Sequence, residues 1–133
     1  MSKKEEYKQL NLKFLEEYKQ KEDVWTLPEG VMYRVITLSE SNVRPSATSV
    51  VSVYYKGSLI NGRVFDDNMS QPCAEPFRLN EVIAGWQIVL PHMSVGERWE
   101  VVIPATLAYG SKGTDGIPRN STLIFEIELV NVF

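Results

Sequence analysis

The chain has 133 residues, 44% of them hydrophobic and 23% charged, with a net charge of -3. That length fits one domain with a real core and one appended element, and the composition excludes wholesale disorder. The mildly acidic balance offers nucleic acid no basic field, and one cysteine with one histidine excludes an intramolecular disulfide and is too few for a Cys/His metal cluster.

The opening MSKKEEYKQL is charged throughout and lacks the apolar centre of a signal peptide, and no later run approaches about 18 apolar residues. The sequence therefore reads as a soluble, cytoplasmic chain, with a removed leader as the open alternative. Ser2-Lys3-Lys4-Glu5 has capping-box form, and Tyr7, Leu10, Phe14 and Tyr18 then recur on one narrow helical face with Leu15 beside it. The spacing predicts an amphipathic helix of about 20 residues, helped by a Glu17–Lys21 pair and closed by Pro28. Such an aromatic stripe serves equally a helix docked on its own domain and an arm that pairs with a second subunit.

From Gly30 the period changes to two. Residues 32–38 read as a strand, and in 49–57 Val51, Val53 and Tyr55 point one way while Ser52, Tyr54 and Lys56 point the other. Ile60-Asn61-Gly62-Arg63 carries the Asn-Gly signal of a tight hairpin leading into Val64-Phe65, and a short strand is expected near Phe77. Residues 98–103 form a further strand stopped by Pro104, and Leu123, Phe125, Ile127 and Leu129 alternate with polar residues to give the cleanest strand of all.

Between these strands lies NEVIAGWQIVL, residues 80–90, a short helix with Asn80 as its expected N-cap and Glu81 at the positive end of its dipole. Val82, Ile83, Trp86, Ile88 and Leu90 spread around most of its circumference, so other elements must wrap it. The predicted fold is α+β, a curved antiparallel sheet enclosing this helix, with an added N-terminal helix. Trp86 then sits between helix and sheet, as core filler or as the floor of a pocket. A Cys73–His92 nucleophilic pair is disfavoured, since Cys73 falls in a Pro-rich loop and His92 directly follows Pro91.

In order along the chain stand Val51-x-Val53-x-Tyr55-x-Gly57, Asn61-Gly62-x-x-Phe65-Asp66, Phe77-x-Leu79, Val82-Ile83-x-Gly85-Trp86, Met93-x-Val95-Gly96, Ile103-Pro104-x-x-Leu107-Ala108-Tyr109-Gly110 and Ile117-Pro118-x-Asn120-x-x-Leu123-x-Phe125. This series resembles the FKBP-type peptidyl-prolyl cis-trans isomerases from about Leu27 to Phe133, which divides the chain into a helix and linker, 1–26, and an isomerase domain, 27–133. Any one piece is weak; seven in order are a strong signal.

The resemblance implies a half-barrel around the short helix and an apolar pocket lined by Tyr55, Phe65, Asp66, Phe77, Val82, Ile83, Trp86, Tyr109, Ile117 and Phe125, with Trp86 as its floor. It implies catalysis of rotation about X-Pro bonds with no cofactor or metal, on Pro-containing peptides and unfolded chains as partners, and macrolide inhibitors as a further ligand class. The Ile83 N–H and the Tyr109 hydroxyl would hold substrate carbonyls beside Phe125, while Asp66 would either act on the twisting amide or anchor Tyr55. A non-catalytic module that holds proline segments as a chaperone is the alternative. Three departures bear on preference: loop 67–76 has no Arg or Lys, flap 111–116 is short, and Arg119 stands where proline is frequent. The N-terminal helix resembles the end of the arms that dimerise some bacterial members, which makes a homodimer a further expectation.

Overall fold

The computed structural model describes residues 1–133, and no helix in it is long and apolar enough to cross a membrane. Its elements are α1 (Lys3–Lys19), β1 (Trp25–Thr26), β2 (Met32–Thr37), β3 (Val50–Ser58), β4 (Val64–Asp67), β5 (Glu75–Arg78), α2 (Ala84–Val89), β6 (Arg98–Ile103) and β7 (Leu123–Val132), with single 3-10 turns at Leu79–Glu81, Leu90–His92 and Ala105–Leu107. All strand pairings are antiparallel, in the order β1-β2-β6-β7-β3-β4, with β5 also on β3. One long strand thus serves two short ones: β4 pairs with Lys56–Ser58 and β5 with Val50–Val53. Only the two-residue β1 has no counterpart in the sequence reading.

The expected alternation holds where one sheet face is buried and the other is wet. On β3 Val51, Val53, Tyr55 and Gly57 turn inward, and on β7 Leu123, Phe125, Ile127 and Leu129 do the same. Irregular pairing at Ser52/Val53, Gly57/Ser58 and Val35/Thr37 bends the sheet into a half-barrel. Helix α2 lies in its hollow, flanked by the fully buried Leu79, Leu90 and Met93. Gly85 is the point of closest approach: a Cβ there would stand 2.5 Å from Ile103 Cγ2, so only a bare backbone fits against β6.

Three local expectations are corrected. Asn80 does not cap the helix; it lies in the preceding 3-10 turn, and Ile83 is the N-cap with no side-chain bond at all. The hairpin is not a two-residue Asn-Gly turn, because only Gly62 has positive φ, 88°. It is a wider loop in which Gly62 N–H bonds Leu59 O and Leu59 N–H bonds Arg63 O, both at 2.9 Å, with Asn61 Oδ1 accepting from Arg63 N–H at 3.0 Å. In α1 the seam against the sheet runs through Tyr7, Asn11, Phe14, Leu15 and Tyr18, while Leu10 is 56% exposed.

Helix α1 docks on the outer face of the chain's own sheet. Met32, Val102 and Ile124 are cross-strand partners in one row over β2, β6 and β7, and Tyr18, Phe14 and Leu15 cover that row. Val101, Val102 and Ile103 are all buried because β6 is covered on both faces. Ser2 caps the helix, accepting from Glu5 N–H at 3.2 Å, and Tyr18 donates to Glu100 at 2.8 Å. Glu17 pairs with Lys13, not Lys21, since the helix ends at Lys19 and the Lys21 ammonium lies 5.0 Å from the centre of the Tyr18 ring. The aromatic stripe that suited an intersubunit arm is occupied by this internal contact.

Replacing Gly85 by alanine sets a helix-propensity gain of at most about 1 kcal/mol against overpacking that costs about 1–3 kcal/mol. The clash with Ile103 should win, and the urea midpoint of Gly85→Ala should fall.

Candidate active site

The open side of the half-barrel holds a cavity of about 330 Å³. Strand β3 brings Tyr55 to it, β4 brings Phe65 and Asp66, β5 brings Phe77, and β7 brings Phe125. The entry to α2 contributes Val82 and Ile83, the helix contributes Trp86, and the loop after Ala105–Leu107 contributes Tyr109. Nine of the ten residues named from the sequence therefore line one cavity.

The tenth, Ile117, does not line it; the residue is buried in the core, where its backbone pairs with Thr114 and ties down the flap. Glu81 replaces it in the lining. Its position before Val82-Ile83 was visible in the sequence, but an acid beside a helix start reads as a dipole partner unless the helix is known to begin at Ala84.

Trp86 forms the floor. It is 4% exposed, and the rings of Tyr55, Phe77 and Phe125 stand around it at 5.2, 5.6 and 5.3 Å with interplanar angles of 80–84°. Edge-to-face contacts of this kind favour a fixed arrangement beyond area burial, by about 0.5–1.5 kcal/mol per pair. Phe65 meets Phe125 edge-on at 5.6 Å above Gly57, where a Cβ would come within 2.5 Å of Phe65 and 2.8 Å of Phe125. The glycine is what lets the two rings touch. The Trp86 indole N–H is buried without an acceptor and is not exposed to the cavity.

Polar groups sit at the rim. Tyr55 donates its hydroxyl to Asp66 Oδ2 at 2.5 Å, and burial first, then this hydrogen bond, push its phenol well above the ordinary tyrosine value. The phenol is the donor in this bond, and Asp66 finds its partner in Tyr55 and not in a basic residue of loop 67–76. Asn68, which the sequence reading passed over, holds that loop: its Oδ1 accepts Tyr55 N–H at 2.6 Å, its Nδ2 donates to Val53 O at 3.2 Å, and its own N–H donates to Tyr55 O at 3.0 Å. Arg63 crosses to the flap and donates to Gly116 O at 2.7 Å. No group of three or more His, Cys, Asp or Glu side chains is arranged to hold a metal ion.

Half-barrel and cavity together define an α+β domain with an aromatic pocket suited to a small apolar ring. Residues 41–130 match the family described as FKBP-type peptidyl-prolyl cis-trans isomerase, and residues 1–35 match the domain described as amino terminal to FKBP-type peptidyl-prolyl isomerase. The FKBP-type 22 kDa peptidyl-prolyl cis-trans isomerase of Escherichia coli (strain K12) is 43% identical over 122 residues, 91% of this chain and 59% of that protein. Outer membrane protein MIP of Legionella longbeachae is 39% identical over 131 residues, 98% of this chain and 56% of that protein. The 1.6 Å crystal structure of a peptidyl-prolyl cis-trans isomerase from Pseudomonas syringae pv. tomato superposes with a TM-score of 0.90 at 33% identity, covering 99% of this chain and 97% of that one. The chain belongs to the FKBP-type peptidyl-prolyl cis-trans isomerases, and it spans less than two thirds of the two curated relatives.

The two anchors of the pocket wall differ in depth. Asn68 is 6% exposed, so Asn68→Ala strands a Tyr55 N–H and a Val53 carbonyl inside the protein, at about 1–3 kcal/mol. Tyr55→Phe releases an Asp66 carboxylate that water reaches and should cost about 1 kcal/mol or less. Urea unfolding of both variants should rank Asn68→Ala as the more damaging.

Proposed function

We propose that this chain is a peptidyl-prolyl cis-trans isomerase that turns X-Pro bonds in peptides and unfolded proteins, with residues 27–133 as the isomerase unit and 1–26 as a helical element packed on it. The observation that carries the reading is the ring-walled cavity over Trp86, apolar at its floor and polar only at its rim. A peptide bond resists rotation by about 18–20 kcal/mol through its C–N double-bond character, and uncatalysed X-Pro bonds take tens to hundreds of seconds.

Rotation breaks no covalent bond, so catalysis requires only that the twisted amide be bound better than either planar form. Twisting removes resonance and with it part of the carbonyl's negative charge. A dry cavity therefore disfavours the polar planar state relative to the twisted one. Tyr55, Phe77, Trp86 and Phe125 would hold the proline ring by shape and dispersion, with Phe65 behind Phe125 and Val82 at the edge.

The Ile83 N–H stands at the N-cap of α2, where no side chain caps the helix, and would take a substrate carbonyl. The Tyr109 hydroxyl, on a residue 39% exposed, would take another at the rim. Asp66 fixes the Tyr55 ring and sets a negative charge beside the cavity; the anchoring role is the one its hydrogen bond supports. A relative named as an outer membrane protein lends no support to the cytoplasmic expectation.

Exchange spectroscopy by NMR on an Ala-Leu-Pro-Phe peptide tests the proposal. Substoichiometric protein should speed cis-trans exchange, Phe125→Leu should lower kcat/KM about tenfold through lost ring contacts, and Tyr109→Phe should lower it about two- to tenfold through one lost hydrogen bond. Peptide signals that shift with protein while exchange stays at the uncatalysed rate would instead assign the pocket to holding proline segments.

A further inference from the structure

The helix on the outer face is hydrogen-bonded to the segment that carries the pocket's rim. Tyr7 Oη lies 2.7 Å from Ser121 Oγ, and Ser121 Oγ donates to Pro118 O at 2.7 Å. A serine has one hydroxyl proton, so the tyrosine is the donor in the first of these bonds. One turn further along α1, Asn11 accepts Thr122 N–H at 2.7 Å and donates to Tyr7 O at 2.8 Å. Asn11, Ser121 and Thr122 are 2%, 3% and 1% exposed, which buries the Asn11–Thr122 bond, while the Tyr7–Ser121 bond is partly buried at the edge of the same junction.

The same short segment is tied to the pocket from its other side. Asn120, in the left-handed region at φ 61°, donates its N–H to Gly110 O at 2.9 Å, one residue beyond Tyr109. Residues 118–122 are therefore clamped between α1 and the loop that presents the Tyr109 hydroxyl, and Phe125 follows three residues after Thr122 on β7. That loop's other backbone ties around Tyr109 are local, Ala108 N–H to Ala105 O at 3.0 Å, Gly110 N–H to Ala105 O at 2.8 Å and Gly113 N–H to Tyr109 O at 3.0 Å, so the Asn120 bond is the one that fixes the loop at Tyr109–Gly110 to the segment leading into β7. A phenol at the end of a long side chain magnifies small shifts of such a backbone, and positioning errors near 1 Å are costly at a reacting centre.

We propose that Tyr7 and Asn11 are positioning residues for the pocket, acting through the 118–122 segment to hold Tyr109 where it meets substrate. The proposal rests on the isomerase reading above. It makes α1 part of the catalytic unit, although no atom of the helix lines the cavity.

Tyr7→Phe removes one hydroxyl and keeps the ring on the sheet. Amide hydrogen exchange reads the clamp without reference to catalysis: the Asn120 N–H should exchange about five- to tenfold faster in the variant, the effect of one hydrogen bond on a local opening. Kinetics on the same Pro peptide read the consequence: KM should rise about two- to tenfold with kcat nearly unchanged, and Tyr7→Phe should add no further rise in a Tyr109→Phe background. Unchanged Asn120 exchange would overturn the clamp. Faster exchange with unaltered KM, or independent effects of the Tyr7 and Tyr109 substitutions, would leave Tyr7 a structural residue and overturn the positioning role. A parent chain with no isomerase activity would overturn the functional reading and that role together, while the exchange result would still decide the clamp.

Discussion

A six-residue helix has no stability of its own in water, because nucleating a turn costs more than so few hydrogen bonds return. Helix α2 exists because the sheet supplies that stability, and much of the molecule follows from this requirement. Its residues are apolar around most of the circumference, so a flat sheet could cover only one side. The irregular pairing along β2, β3 and β4 bends the sheet, and the bare backbone of Gly85 lets the helix sink onto Ile103. The pocket lies where this wrapping stops. Trp86 is the helical residue at which β3, β5 and β7 offer rings around a gap and not aliphatic side chains in contact.

A cavity made this way separates the roles of its residues by depth. The rings at the bottom touch one another edge to face and have little freedom to collapse inward, so the space stays open to a ligand of proline's size. Polar groups stand at the edge, where the donors among them, the Ile83 N–H and the Tyr109 hydroxyl, would on the proposed reading reach a peptide's carbonyls without entering the floor. Asn68 shows why the edge holds still: its buried side-chain amide engages two backbone groups of β3 and its backbone N–H a third, and so the residue keeps Asp66 and Tyr55 in reach of each other.

The legible parts of the sequence were those with one buried face and one exposed face. Strands β3 and β7 alternate because their outer sides are largely wet, and their inward residues could be named in advance, Tyr55 and Phe125 among them. Strand β6 obscures that pattern, since Val102 faces α1 while Val101 and Ile103 face α2. Polar residues with buried roles were the least legible. Asn11 and Asn68 carry no signal in the sequence, because nothing in the residue type distinguishes an amide that faces water from one that satisfies buried backbone groups. Asn80 failed for the opposite reason: it has the chemistry of a cap, but the 3-10 turn through Leu79–Glu81 delays the helix until Ala84. Glu81 and Ile117 exchanged places in the pocket because lining depends on loop course, which periodicity does not encode.

The seat of α1 on the outer face shows the same division between apolar area and polar register. Phe14, Leu15 and Tyr18 against Met32, Val102 and Ile124 provide a contact that is favourable but non-directional, and an aromatic stripe moved along by one turn, about 5.4 Å, would still bury most of that area. What distinguishes the observed seat is a set of bonds that fit only one register: Tyr7 to Ser121, Asn11 to Thr122, and Tyr18 to a Glu100 that also accepts from Arg34 at 3.1 Å. After a slip the Thr122 N–H would be buried without an acceptor, at a cost of order 1–3 kcal/mol, and the buried Tyr18 would lose Glu100 as its acceptor. Apolar burial holds the helix to the sheet, and the buried amide and the two phenols determine where along the sheet it rests.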